Sequence, residues 1–187
     1  MRLFVAVELV KRVKDELAGV QRALGEFDRD VRWARPEQIH LTLKFLGEVA
    51  EERCAEICDA AGAAAADSRP FEIRLANSGC FPPHGRVRIV HVGMAEPSGA
   101  LQQCRDRCEQ VFSELGFAPE RRPFSPHLTV GRVREDRTDG RLRQAVEALR
   151  PESVGQSVEA IYVVQSVLAR SGAQYTNVSR HALSKVS

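Results

Sequence analysis

The run RLFVAVE at residues 2–8 is β-prone and alternates enough to predict a strand, whose successive side chains face opposite sides. From Val10 the spacing changes: Val10, Val13, Leu17, Val20 and Leu24 recur at helical intervals, and Gly25 supplies a stop. A short strand at Val31 to Ala34 carries the only tryptophan, Trp33, and Pro36 breaks it. The next strand, Ile39-His40-Leu41-Thr42-Leu43-Lys44-Phe45-Leu46, ends at Gly47. Residues 51–66 predict a second helix with Cys54, Ile57, Cys58, Ala61 and Ala65 inward. Phe71 to Ala76 alternates as a strand, then Asn77-Ser78-Gly79 and the stretch from Phe81 to Gly85 read as a long turn. Val87 to Val92 alternates again, with Val87, Ile89 and His91 on one side.

A third helix runs from a Ser98 cap to Gly116 on the stripe Leu101, Cys104, Cys108, Val111, Phe112 and Leu115. Leu142, Ala145, Val146 and Leu149 mark a short fourth helix. Two long strands, about 157–168 and 173–184, close the chain as a hairpin turning at Ser171-Gly172. Helices interleave with strands, yet many connections are too short for right-handed crossovers. The expected fold class is therefore α+β: mainly antiparallel sheet backed by helices. No low-complexity linker divides the chain, which predicts a single bilobal domain over residues 1–187.

Within this pattern one strand repeats. His40, Thr42 and Lys44 alternate with Leu41, Leu43 and Phe45, so alternation puts a proton carrier, a hydroxyl and a cation on one face. The arrangement returns at Pro126-His127-Leu128-Thr129-Val130-Gly131-Arg132. A lone strand histidine is ordinarily a packed core residue. Two His-x-Thr pairs in a chain holding five His and four Thr, each preceded by Arg-Pro (Arg35-Pro36, Arg122-Pro123), argue for a duplicated unit. Two similar halves predict lobes related by a pseudo-twofold axis, with His40 and His127 facing each other across the cleft between them.

Composition narrows the function. A net charge of +2 and a pI near 8.4 describe a mildly basic surface, too weak for a long-duplex binder but compatible with a short or terminal anion. There is no leader-like or long apolar run, which predicts a cytoplasmic protein with no membrane association. Five Cys, an odd count, fit reduced thiols. Cys54/Cys58 and Cys104/Cys108 fall on helical stripes, where thiols pack as small hydrophobes rather than hold zinc.

A pair of imidazoles supplies a general acid and a general base near neutral pH, each proton transfer contributing about 10²–10⁴ in rate. Thr42 and Thr129 can donate to phosphate oxygens, and Lys44 or Arg132 can neutralise the anion. By strict alternation Arg132 points away from His127, unless a bulge at Gly131 swings it back. Ser166 and Tyr175 are weaker candidates for the cleft wall, and Trp33, Phe81 and Tyr162 are candidates to stack on a base. No nucleophile elbow, phosphate loop or metal-binding helix motif is present, so neither cofactor nor metal is expected.

His40-Leu41-Thr42-Leu43 and His127-Leu128-Thr129-Val130 resemble the paired His-x-Thr-x signatures of the two-histidine (2H) phosphoesterases. The likeness is strongest to the bacterial RNA 2′,3′-cyclic phosphodiesterases, historically called 2′-5′ RNA ligases. It extends through Arg2-Leu3-Phe4, Lys44-Phe45-Leu46-Gly47, Gly116-Phe117 and Tyr175-Thr176. The resemblance implies metal-independent opening of RNA 2′,3′-cyclic phosphates to 2′-phosphates, with reversal giving ligation. It implies His40 as proton donor, His127 as proton acceptor, Thr42 and Thr129 as phosphate ligands, and Arg132 as a further one. The expected partners are RNA ends or nucleoside 2′,3′-cyclic phosphates, acted on by a monomer without an obligate protein partner. Two alternatives stand beside this: another cyclic or 2′-5′-linked nucleotide substrate, or a module that binds RNA ends without cleaving them.

Overall fold

Two antiparallel sheets share one continuous apolar core in the computed structural model, which describes residues 1–169 and 172–184. The first sheet has the order β3-β1-β8-β9, from β3 (His40–Glu48), β1 (Arg2–Glu8), β8 (Ala160–Ala169) and β9 (Gly172–Ala182). The second has the order β2-β6-β5-β4-β7, from β2 (Val31–Trp33), β6 (His127–Val133), β5 (Ile89–Ala95), β4 (Phe71–Phe81) and β7 (Gly155–Val158). Among the described residues the helices are α1 (Lys11–Ala23), α2 (Cys54–Ala66), α3 (Ala100–Glu114) and α4 (Arg141–Ala148). The α+β architecture of antiparallel sheets backed by helices is as expected.

The order of elements repeats. β1-α1-β3-α2 in the first half matches β5-α3-β6-α4 in the second. The first half then sends β4 beside β5 in the other half's sheet; the second half first adds β7 beside β4 and then sends β8 beside β1. β1 is thus flanked by β3 and β8, and β5 by β6 and β4, while β2 adds an outer strand to β6.

Helical faces follow the apolar spacing. α1 buries Val13, Leu17 and Val20, and α3 buries Leu101, Cys104, Cys108, Val111 and Phe112 while packing on α2 and β3. Each such aliphatic or aromatic side chain contributes about 1.5–3 kcal/mol on burial. In α2 the inward residues are Ile57, Ala61, Ala64 and Ala65, whereas Cys54 and Cys58 are only half-buried on its flank. The α3 cysteines pack in the core as expected, and the α2 pair does so only partly.

Three expectations about element boundaries change. Asn77-Ser78 is not a turn but an irregularity inside β4, and Ser78 Oγ donates to Val146 O at 2.6 Å, tying the strand to α4. α3 opens at Gly99, whose positive φ of 78° suits glycine; Glu96 accepts the Leu101 and Ser98 amides, so Ser98 is not the sole cap. The long strand expected near 157–168 breaks at Glu159 into β7 and β8, which belong to different sheets. β8 and β9 pair as a hairpin, and the turn expected at Ser171 lies outside the described residues.

Candidate active site

His40 opens β3 just after a short 3-10 turn that begins at Pro36. Its Nδ1 lies 2.9 Å from Gln38 O. A carbonyl only accepts, so Nδ1 carries the proton and Nε2 is the free nitrogen of the neutral ring. Phe4 stacks on the imidazole at 4.6 Å and Tyr175 meets it edge-on at 4.9 Å. Burial lowers the His40 pKa; the Gln38 hydrogen bond opposes that shift and the positive charge of Lys14 reinforces it.

His127 is built the same way. Its Nδ1 lies 2.7 Å from Ser125 O, again the carbonyl two residues upstream, and again Nε2 is left free. Its walls are the edge contacts of Phe81 at 4.9 Å and His91 at 5.4 Å. Both catalytic candidates are half-buried, and β3 packs against β6.

The two strands share a defect as well as a motif. On β1, Ala6 pairs with Thr42 and Val5 with Lys44, leaving Leu43 without a partner. On β5, His91 pairs with Thr129 and Val90 with Gly131, leaving Val130 without one. Each strand therefore bulges at the residue after its threonine, and two consecutive residues face the core. Burial runs identically from His40 to Phe45 and from His127 to Arg132: half-buried, buried, half-buried, buried, buried, exposed. Buried Gln21 of α1 anchors the second bulge, donating from Nε2 to Val130 O at 2.9 Å and Ala34 O at 2.7 Å.

The bulges decide three candidates. Thr42 and Thr129 remain on the histidine faces, half-buried. Lys44 leaves that face: it is 4% exposed, and its Nζ binds Glu109 Oε2 at 2.7 Å and Ala118 O at 2.8 Å on the far side. It does not reach the cleft, contrary to expectation, because alternation fails across a bulge. Arg132 moves the opposite way and returns to the side bearing His127, with the bulge centred on Val130 rather than Gly131.

A family model described as the 2′-5′ RNA ligase superfamily matches residues 9–168. The chain belongs to that superfamily. An RNA 2′,3′-cyclic phosphodiesterase of Methanothermobacter thermautotrophicus is 32% identical over 95% of this chain and 96% of its own length. Among solved structures, TT0787 of Thermus thermophilus superposes with a TM-score of 0.82 at 27% identity, covering 98% of both chains. E. coli LigT complexed with 3′-AMP gives 0.81 at 26% identity, also over 98% of both.

In this 2′-5′ RNA ligase superfamily chain, the rings around the two histidines come from neighbouring strands outside the His-x-Thr pairs. Phe4 of β1 and Phe81 and His91 of the second sheet are the residues that sequence motifs miss or rank low. His91 stacks on Phe81 at 4.2 Å, and burial with the neighbouring His127 pushes its pKa down to about 4. It shares a face with Ile89, as the alternation predicts. Its ring lies over Gly79, where an added Cβ would sit 3.0 Å from Cε1 and Nε2.

The remaining candidates divide. Tyr175 lies on His40, and Ser166, opposite Arg2 and Tyr175, lines the same face of the first sheet. Tyr162 is opposite Ala6 on that face and accepts from Arg180 Nε at 3.3 Å. Trp33 is on the wrong side to stack on a base in the cleft. It covers the core side of Gly131, and its Nε1 donates to Asp28 Oδ1 at 2.6 Å. Among the described residues no three His, Cys, Asp or Glu side chains gather as metal donors would.

Proposed function

We propose that this chain is an RNA 2′,3′-cyclic phosphodiesterase that yields 2′-phosphates, with His40 and His127 converging from its two lobes on one phosphorus. The observation that carries the reading is the matched pair of bulged His-x-Thr strands, each presenting a free Nε2 beside a threonine hydroxyl. The RNA 2′,3′-cyclic phosphodiesterase that is 32% identical and the likeness to a LigT complexed with 3′-AMP support the substrate class.

The chemistry follows from the two rings. His127 Nε2 takes a proton from water as the water oxygen bonds to phosphorus. The bond from phosphorus to the 3′ oxygen breaks, and protonated His40 delivers its Nε2 proton to that oxygen. The product is a 2′-phosphate with a free 3′ hydroxyl, and the two histidines finish with their protonation states exchanged. Burial alone disfavours the cation His40 needs, and the arriving phosphate anion counters this by stabilising the imidazolium. Thr42 and Thr129 donate to the non-bridging oxygens, and Arg132, farther along the same face, supplies positive charge toward the rest of the bound nucleotide's anionic groups. Both proton transfers are assigned to side chains, so the proposed cycle is metal-independent. With a 5′ hydroxyl in place of water as the attacking group, and the 3′ oxygen still leaving, the same two proton transfers join ends through a 2′-5′ linkage.

The test is turnover of a nucleoside 2′,3′-cyclic phosphate in excess EDTA, with products separated by chromatography. The expected result is undiminished formation of the 2′-phosphate alone. A 3′-phosphate product, or activity that EDTA removes and a divalent cation restores, defeats the mechanism.

A further inference from the structure

Arg32 and Arg132 are direct cross-strand partners on β2 and β6. Both are exposed, and among the described residues neither side chain has a hydrogen-bond or carboxylate partner. Like charges placed opposite each other weaken a sheet, and among the described residues no carboxylate pairs with either guanidinium.

Their orientation is fixed by their neighbours. A Cβ added at Gly131 would lie 2.6 Å from Val31 Cγ1 and 2.7 Å from Trp33 Cε3, so Val31, Trp33 and Gly131 share the core side. Arg32, between Val31 and Trp33, faces the other way, and so does Arg132, next to Gly131. The bulge at Val130 makes that the side of His127 and Thr129. Arg132 lies three positions beyond Thr129, roughly 7–10 Å along the strand and on the scale of one nucleotide unit. A guanidinium fork matches phosphate oxygens in pairs, and two forks side by side form a site for an anion distinct from the one the threonines hold.

We propose that Arg32 completes a guanidinium pair with Arg132 that holds the phosphate on the 5′ side of the terminal nucleotide. The enzyme then favours cyclic phosphates that carry such a group over bare nucleoside cyclic phosphates. The proposal rests on the cyclic phosphodiesterase reading and names a second phosphate that this activity does not require. Either a 5′-terminal monoester or the phosphodiester of a longer RNA presents that chemistry.

The experiment compares kcat/KM for a nucleoside 2′,3′-cyclic phosphate, its 5′-phosphorylated form and a dinucleotide ending in the same cyclic group. The wild type is expected to prefer the two phosphorylated substrates by about 10-fold or more, mostly through KM, with the preference shrinking as salt rises. Arg32→Gln should remove most of that preference and leave the bare nucleoside substrate unchanged, while Arg32→Lys should restore part of it. Preference for the dinucleotide alone assigns the pair to an internal phosphodiester, and preference for both assigns it to any 5′ phosphate; either supports the proposal. Equal kcat/KM for all three substrates refutes the pair but spares the cyclic phosphodiesterase reading. An Arg32→Gln variant that loses activity on every substrate equally also refutes it. A wild type that turns over none of the three refutes that reading and the pair with it.

Discussion

Replacing Lys44 separates two roles for one residue. Alternation assigns Lys44 to the phosphate, whereas the structure buries it against α3, its side chain 2% exposed beside a Glu109 that is 12% exposed. Lys44→Met keeps the aliphatic stem and removes the charge. Glu109 then loses one of its two cations and keeps Arg105, 3.2 Å away, and Ala118 O loses its donor. Breaking a buried pair from one side costs about 3–5 kcal/mol. The remaining Arg105 contact reduces this to about 2–4 kcal/mol, since Glu109 is not left uncompensated. At about 2–4 °C per kcal/mol for a chain of this size, Tm should fall by roughly 4–16 °C. The assay is a thermal melt alongside kcat and KM measured well below the variant's Tm. The expected outcome is a large loss of stability with near-normal kinetics per folded molecule. An unchanged Tm with KM raised 10-fold would show that Lys44 reaches the substrate, and would refute the bulge argument.

Other consequences can be measured in the same way. His40→Ala and His127→Ala should each lower kcat by about 10²–10⁴ while leaving the far-ultraviolet circular dichroism intact; a variant retaining a tenth of wild-type kcat would remove that histidine from the mechanism. Gly79→Ala should destabilise by about 1–3 kcal/mol, because its methyl meets the His91 ring at 3.0 Å; adding His91→Ala should recover most of that loss, and strict additivity would place the cost elsewhere. Stability should also decline on acidification, since His91, His40 and His181 all have lowered pKa values. The unfolded chain binds more protons than the folded one between the folded value of His91, about 4, and the ordinary 6.5, so unfolding free energy rises with pH across that window and levels off above it. A fully shielded ring would contribute about 3 kcal/mol, and solvent at this partly exposed one cuts that to about 1–2. Urea melts of wild type and His91→Phe at pH 4.5 and 7.5 should diverge, with the variant less sensitive to acid; parallel curves would count against His91 as a source.

What was legible in the chain was whatever depended on period alone. The helical stripes, the alternating strands and the doubled His-x-Thr pairs need no partner strand to be seen. Lys44 and Arg132 were assigned to opposite sides for the opposite reason: a bulge is a property of pairing, created where β1 and β5 skip Leu43 and Val130. Glu159 illustrates the same limit, since a long β-prone run does not reveal that its two parts join different sheets. Ser78 reads locally as a turn residue, and only α4 supplies the carbonyl that lets it sit inside a strand. His91 carries no motif, and Phe4 lies in one without showing what it touches; their place beside the two histidines comes from strand register, which follows from the whole sheet rather than from a window of sequence.

The exchange of strands between the halves bears on how the molecule is made. β1 is synthesised before both strands that flank it, and one of these, β8, comes about 150 residues later. The nascent first half can form its helices and pair β1 with β3, but one edge of β1 stays open until most of the polypeptide has been translated. Such distant pairing predicts slow folding. It also means that a ribosome stalled anywhere before β8 releases a product whose first sheet is incomplete.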